Sequence, residues 1–114
     1  MKFLISPVRN QSEEMKEIIK PYLNDKDVYC PQRDTKQDDP TGLQICLDNC
    51  EAIKNAEEIL FIWDGKSQGS LFDLGMAFAM RKKIKIISVP PFTNGKSFQN
   101  MIRDYENSTI YTRQ

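Results

Sequence analysis

Short apolar runs alternate with amphipathic stretches along this chain, and the alternation predicts its elements. Phe3-Leu4-Ile5 is an apolar run that stops at Ser6-Pro7, as a buried strand would. Ser12 is placed to cap a helix whose first turn carries Glu13 and Glu14. Met15, Ile18, Ile19, Tyr22 and Leu23 then follow the helical period, and Pro21 predicts a kink or an early end. Asp27 to Cys30 reads as a second strand, ended by Pro31. Residues 31–40 read as a polar loop too rich in charge and proline to pack. Asp39-Pro40 marks the start of a helix with Leu43, Cys46, Cys50, Ile53 and Ala56 on its inner face. Ile59 to Trp63 is apolar on both faces, as a central parallel strand should be. Asp64 to Gly69 is a turn, and Ser70 to Arg81 a helix with Leu71, Leu74 and Phe78 inward. Ile84 to Val89 is a further strand, ended by Pro90-Pro91. Phe98 to Tyr105 reads as a last helix and Thr109-Ile110-Tyr111 as a short last strand.

This order predicts an α/β fold: a single-domain Rossmann-like or flavodoxin-like sandwich around a parallel sheet of about five strands. In such sheets ligands sit outside the carboxyl ends of the strands. Three loops meet there: Ser6 to Asn10, Pro31 to Asp39, and Asp64 to Ser70.

Composition narrows the picture. A chain of 114 residues suits one domain, and 39% hydrophobic with 28% charged residues is ordinary globular composition. Sixteen basic residues balance sixteen acidic ones, which argues against a duplex nucleic acid partner. No apolar run reaches membrane-spanning length, and the apolar start is too short for a signal peptide. The odd set Cys30, Cys46 and Cys50 fits reduced thiols in a cytoplasmic protein. Cys46 and Cys50 read as small buried apolar residues, because the chain offers no histidine to complete a metal site. The missing histidine also excludes Ser-His-Asp and Cys-His catalysis and the histidine-bearing zinc sites. No metal or redox cofactor is implied. Acid–base chemistry is left to carboxylates, tyrosines, lysines or the substrate.

Ser67-Gln68-Gly69-Ser70 runs straight into a helix, whose first backbone amides are unpaired and carry partial positive charge. This suits an anion cradle for one phosphate, with Gly69 letting the backbone come close. An ordinary turn with a Ser70 helix cap accounts for the same residues. Asp73 stands three residues after Ser70. It reads either as the second half of a capping box or as a carboxylate at the ligand edge, able to act on a sugar carbon. Arg9 and Arg33 lie in the converging loops and suit a phosphate, although a solvated loop charge is the commoner case. Trp63, Phe72 and Tyr111 suit base stacking or a core.

Two segments carry a resemblance. Gly69-Ser70-Leu71-Phe72-Asp73-Leu74-Gly75-Met76-Ala77 resembles the Gly-x-x-x-Glu-x-Gly-x-Ala segment of the nucleoside 2-deoxyribosyltransferase-like family, which includes the nucleoside 5′-monophosphate N-glycosidases. Asp48 to Glu57 is similar to the family's helix that carries an active-site aspartate. The first strand and Pro7 also fit, and the likeness runs from Phe3 to about Val89. Ser67-x-Gly69 and Pro7-Val8-Arg9 resemble the phosphate-binding serine and glycine and the Ser-Ile-Arg of the monophosphate glycosidases.

The resemblance implies cleavage or transfer at the N-glycosidic bond of a nucleoside or nucleoside 5′-monophosphate. It gives catalytic roles to Asp73, Asp48 and Asn49, with Asp73 acting at C1′. With the converging loops, it marks Ser6, Pro7, Arg9, Arg33, Asp64, Ser67, Gly69 and Ser70 for substrate or phosphate binding, Arg33 from its loop position alone. It also implies a homodimer or higher homo-oligomer. Asp73 stands where the family has glutamate, and Asn49 where its second carboxylate lies, with Asp48 adjacent. These departures suit the alternative of a non-catalytic nucleotide-binding or sensor module on the same fold.

Overall fold

Lys2–Ile5 forms β1 and Glu58–Ile62 forms β3, and the two pair in parallel at the centre of the sheet, from Lys2 opposite Glu58 to Ile5 opposite Phe61. The computed structural model describes residues 1–108. Val28–Tyr29 (β2) adds to the free side of β1, and Ile84–Ser88 (β4) to the free side of β3. All pairs are parallel and the strand order is β2-β1-β3-β4. The fold is therefore the expected α/β sandwich of Rossmann-like or flavodoxin-like order, with four strands among the described residues. The expected strand Thr109-Ile110-Tyr111 lies outside them.

The side-chain alternation of the two central strands divides the core. Phe3, Ile5, Ile59 and Phe61 pack toward helices α3 (Leu43–Asn55), α4 (Gln68–Ala79) and α5 (Phe98–Asn107). Leu4, Leu60 and Ile62 pack toward Met15 and Ile19 of α1 (Glu13–Leu23). All seven strand residues are at most 4% exposed, so β1 and β3 bury both faces, which is why they read as unbroken apolar runs.

Several boundaries differ from the sequence reading. Pro21 does not end α1, which continues to Leu23. It sits exposed in the last turn, where its missing amide leaves a single helical hydrogen bond unmade. Residues 31–40 are not all loop: Pro31–Asp34 forms a short helix, α2, with Pro31 buried at its first position. Helix α3 begins at Leu43, not at Pro40, because Gly42 turns the chain with φ +88° first. Asp39 still caps it from outside, accepting the Gln44 amide at 2.6 Å. The inner face of α3 is Asn49, Ala52 and Ile53, while Leu43 is 65% exposed and Cys46 and Cys50 are half-buried. On α4, Leu74 points inward but Phe78 is largely exposed.

The chain leaves β1 for the edge strand β2, then crosses back over β1 to reach β3. Neighbouring loops after β1 and β3 thus diverge to opposite sides of the sheet and leave a crevice between them. The site lies in that crevice.

Candidate functional site

The β3–α4 loop is built around Asp64. Its Oδ1 accepts the amides of Lys66 and Ser67, both at 2.8 Å, which folds the four residues into a tight turn. Gly65 inside that turn has φ +81°, and a Cβ there would meet the Pro90 ring at 3.0 Å, so only glycine fits. The Trp63 indole donates to the Ser67 carbonyl at 3.0 Å and pins the end of the loop to the core. Trp63 is 5% exposed and is a core residue, not a stacking platform.

Ser67, rather than Ser70, is the N-cap of α4. Its Oγ accepts the Ser70 amide at 3.2 Å and the Ser70 hydroxyl at 2.9 Å. A serine oxygen accepts two hydrogen bonds and donates one. The Ser67 proton is therefore left over, with no acceptor among the described residues. The amides of Gln68 and Gly69 are likewise unpaired, as in any first helical turn. A Cβ at Gly69 would meet nothing within 4 Å, so packing does not demand glycine there. What glycine does there is keep the helix start bare.

Because Ser67 takes the cap, no capping box forms between Ser70 and Asp73. Asp73 turns instead to α3, where the Asn49 carboxamide donates to its Oδ2 at 3.3 Å. Its Oδ1 holds no hydrogen bond among the described residues. Burial pushes the Asp73 carboxyl up to about 6, against the Asn49 hydrogen bond, which lowers it. The thiol of Cys46, on the same face of α3, is pushed up by burial and then by the charges of Asp73 and Asp39. It stays protonated at neutral pH.

These elements enclose a cavity of about 650 Å³ at the carboxyl ends of β1 and β3. From the β1–α1 loop come Ser6, Val8, Arg9 and Asn10. From α3 come Ile45, Cys46 and Asn49. From the β3–α4 loop and α4 come Asp64, Lys66, Ser67, Gly69, Ser70, Phe72 and Asp73. Phe72, next to Asp73 in sequence, lines the cavity and is 57% exposed. A volume of this size is that of a small-molecule site. Among the described residues no three acidic or thiol side chains gather as a metal ion would require.

Ser6, Arg9, Asn49, Asp64, Ser67, Gly69, Ser70 and Asp73 are thus brought together as the sequence suggested. Three expected residues are not. Pro7 is buried, and its carbonyl accepts a hydrogen bond from the Gln11 side-chain carboxamide at 2.6 Å. Asp48 turns along the outside of α3 to Gln44, 2.8 Å away, so Asn49 and not Asp48 reaches Asp73. Arg33 points away from the cavity, donating to the carbonyls of Leu23 and Asp25 at 2.8 and 3.1 Å and to that of Val28. It also pairs with Asp34 at 2.7 Å, which holds the Asp34 carboxyl below its ordinary range. It ties the start of β2 to the end of α1.

Sequence reasoning missed Cys46 and Ile45 as cavity residues, and placed Lys66 and Asn10 only as members of the converging loops. Cys46 and Asn49 are three apart on one helix, so once Asn49 is placed the spacing finds Cys46. It also missed the buried Thr35, whose hydroxyl donates to Asn49 Oδ1 at 2.8 Å. No periodic signal marks that residue.

Comparisons of the chain with protein-family models, with curated proteins and with solved structures return no match.

Proposed function

We propose that this protein cleaves or exchanges the N-glycosidic bond of a nucleoside or nucleoside 5′-monophosphate, with Asp73 acting at C1′. One observation carries the reading. A half-buried carboxylate with a free oxygen shares a cavity with the bare amino end of its own helix. From Gly69 to Asp73 the axis rises about 6 Å. That span suits a pentose with its 5′ ester at the helix start and C1′ at the carboxylate.

The phosphate is held by the Gln68 and Gly69 amides, the spare Ser67 proton, and the charges of Arg9 and Lys66. Phe72 offers its ring face to the base. Asp73 Oδ1 attacks C1′ as the C1′–N bond breaks, and the electron pair leaves with the base. Water then gives its hydroxyl to C1′ and its proton to the base, restoring the carboxylate. A second base in place of water makes the reaction a transfer.

The same cavity also supports a binding module without chemistry. Asp48 faces outward and the Asn49 carboxamide is not an acid, so α3 offers the leaving base no carboxylic acid.

The test is chromatographic detection of free base from a panel of nucleosides, deoxynucleosides and 5′-monophosphates, with and without an acceptor base. Base release that disappears in Asp73→Ala supports the enzyme. No release from any substrate, with a melting shift on adding a nucleotide, overturns it and leaves the binding module.

A further inference from the structure

Asn49 lines the cavity beside Asp73, and behind it two further polar side chains, Thr35 and Tyr29, lead inward without lining the cavity. Asn49 and Thr35 are 4% and 5% exposed. Thr35 Oγ1 donates to Asn49 Oδ1 at 2.8 Å, and the Tyr29 phenol lies 2.7 Å from the same Thr35 oxygen. A carboxamide oxygen only accepts. The Thr35 proton is therefore committed to Asn49, and the phenol must donate to Thr35. Every proton in the series points the same way: Tyr29 to Thr35, Thr35 to Asn49, Asn49 to Asp73.

The series is anchored in rigid structure. Tyr29 belongs to β2, opposite Phe3 in register, and its ring stacks on the fully buried Phe3 ring at 5.4 Å and 11°. Thr35 is the C-cap of α2, with its amide on the Pro31 carbonyl at 3.0 Å. Edge strand and short helix together hold two hydroxyls at fixed positions under α3. We propose that Tyr29 and Thr35 are positioning residues of the Asp73 site, a one-way chain of donors that holds the Asn49 carboxamide with its amino end toward the carboxylate. The proposal rests on the reading of Asp73 as the reacting group.

Without the Thr35 proton, the carboxamide loses the partner that defines which end faces outward. Turned over, it would set its oxygen against the carboxylate and favour the protonated form. The remaining titratable groups facing the cavity are Arg9 from the β1–α1 loop, Cys46 from α3, and Asp64 and Lys66 from the β3–α4 loop. None of them is altered by changes at positions 29 and 35.

The experiment is a carbon-detected NMR titration of the Asp73 carboxyl in the full chain, for wild type, Asn49→Ala, Thr35→Val, Thr35→Ser and Tyr29→Phe. Asn49→Ala and Thr35→Val should each move the midpoint upward by roughly one pH unit, the order of one hydrogen bond to an ionised group. Thr35→Ser keeps the hydroxyl and should restore the wild-type midpoint. Tyr29→Phe keeps the stack on Phe3 and should move it upward by less. If Thr35→Val does not fold, Tyr29→Phe carries the test. A folded Thr35→Val or Tyr29→Phe whose Asp73 titrates as in wild type overturns the proposal. The titration needs no turnover, so a shift in a protein that releases no base would overturn the glycosidic reading and keep the chain of donors.

Discussion

Asn49 donates to Asp73 across 3.3 Å, the polar link between α3 and α4. It works against burial, which is the larger influence and leaves the carboxyl at about 6 in place of 3.8. Between those two pH values the folded chain holds a proton that the unfolded chain has lost. Stability therefore falls as pH rises through that window and stays lower above it. The cost at neutral pH is on the order of 3 kcal/mol. Asp73→Asn removes the charge, keeps the shape and still accepts from Asn49. It should be more stable than wild type at about pH 7.5, by on the order of 3 kcal/mol and with a higher melting temperature, the gain fading toward about pH 4. Equal melting at both pH values would mean that the carboxyl is not raised by burial.

The same group sets the pH dependence of base release. Attack on C1′ needs the ionised form. The rate should rise roughly tenfold per pH unit below about 6 and level off above it. The cavity holds no histidine whose titration would bend the profile down again. Initial rates from about pH 4.5 to 8 check this, and a rate that falls across that range would remove Asp73 as nucleophile.

The pattern that revealed the fold also hid part of the site. Apolar runs at β1 and β3 located the centre of the sheet, because parallel strands buried on both faces need nothing else. The polar segment 31–40 looked like loop because α2 is too short for a period, yet it supplies Thr35 to the interior. On α3 the apolar positions pointed to Leu43 as core. In the fold Asn49 is buried, satisfied by Thr35 and Asp73, while Leu43 and Leu47 are 65% and 53% exposed. A buried polar group with partners from two other segments overrides the hydrophobic period, and those partners are invisible to local spacing. The Ser67 cap was masked for a related reason. Both Ser67 and Ser70 fit a helix start, and only the Asp64 turn decides between them.

The two arginines singled out in the loops should part company. Arg33 is tied to four backbone carbonyls and Asp34, away from the cavity. Arg33→Ala should lower stability by on the order of 1–3 kcal/mol and leave nucleotide affinity unchanged. Arg9 is exposed at the cavity and should behave in the opposite way: no loss of stability, and several-fold weaker binding of 5′-monophosphates than of nucleosides. Thermal melts and titration calorimetry with the two ligand sets separate these outcomes. Arg33→Ala that weakens monophosphate binding in a folded chain would return Arg33 to the site.

Ser67 and Gly69 test the phosphate cradle from two directions. Ser67 both caps α4 and offers a spare proton to the cavity. Ser67→Ala should cost about 1 kcal/mol of stability through the cap and also weaken monophosphate binding. Gly69 has no structural duty, since a Cβ there meets nothing within 4 Å. Gly69→Ala should leave the melting temperature at or slightly above wild type, because alanine is the better helix former. Its methyl would nevertheless stand beside the bare amides and keep a phosphate away, weakening monophosphate binding roughly tenfold, about 1.4 kcal/mol. Nucleoside binding, which does not use the amides, should be unchanged by it. A Gly69→Ala chain that binds monophosphates as wild type does would mean that the start of α4 is only a capped helix end, with the phosphate held elsewhere.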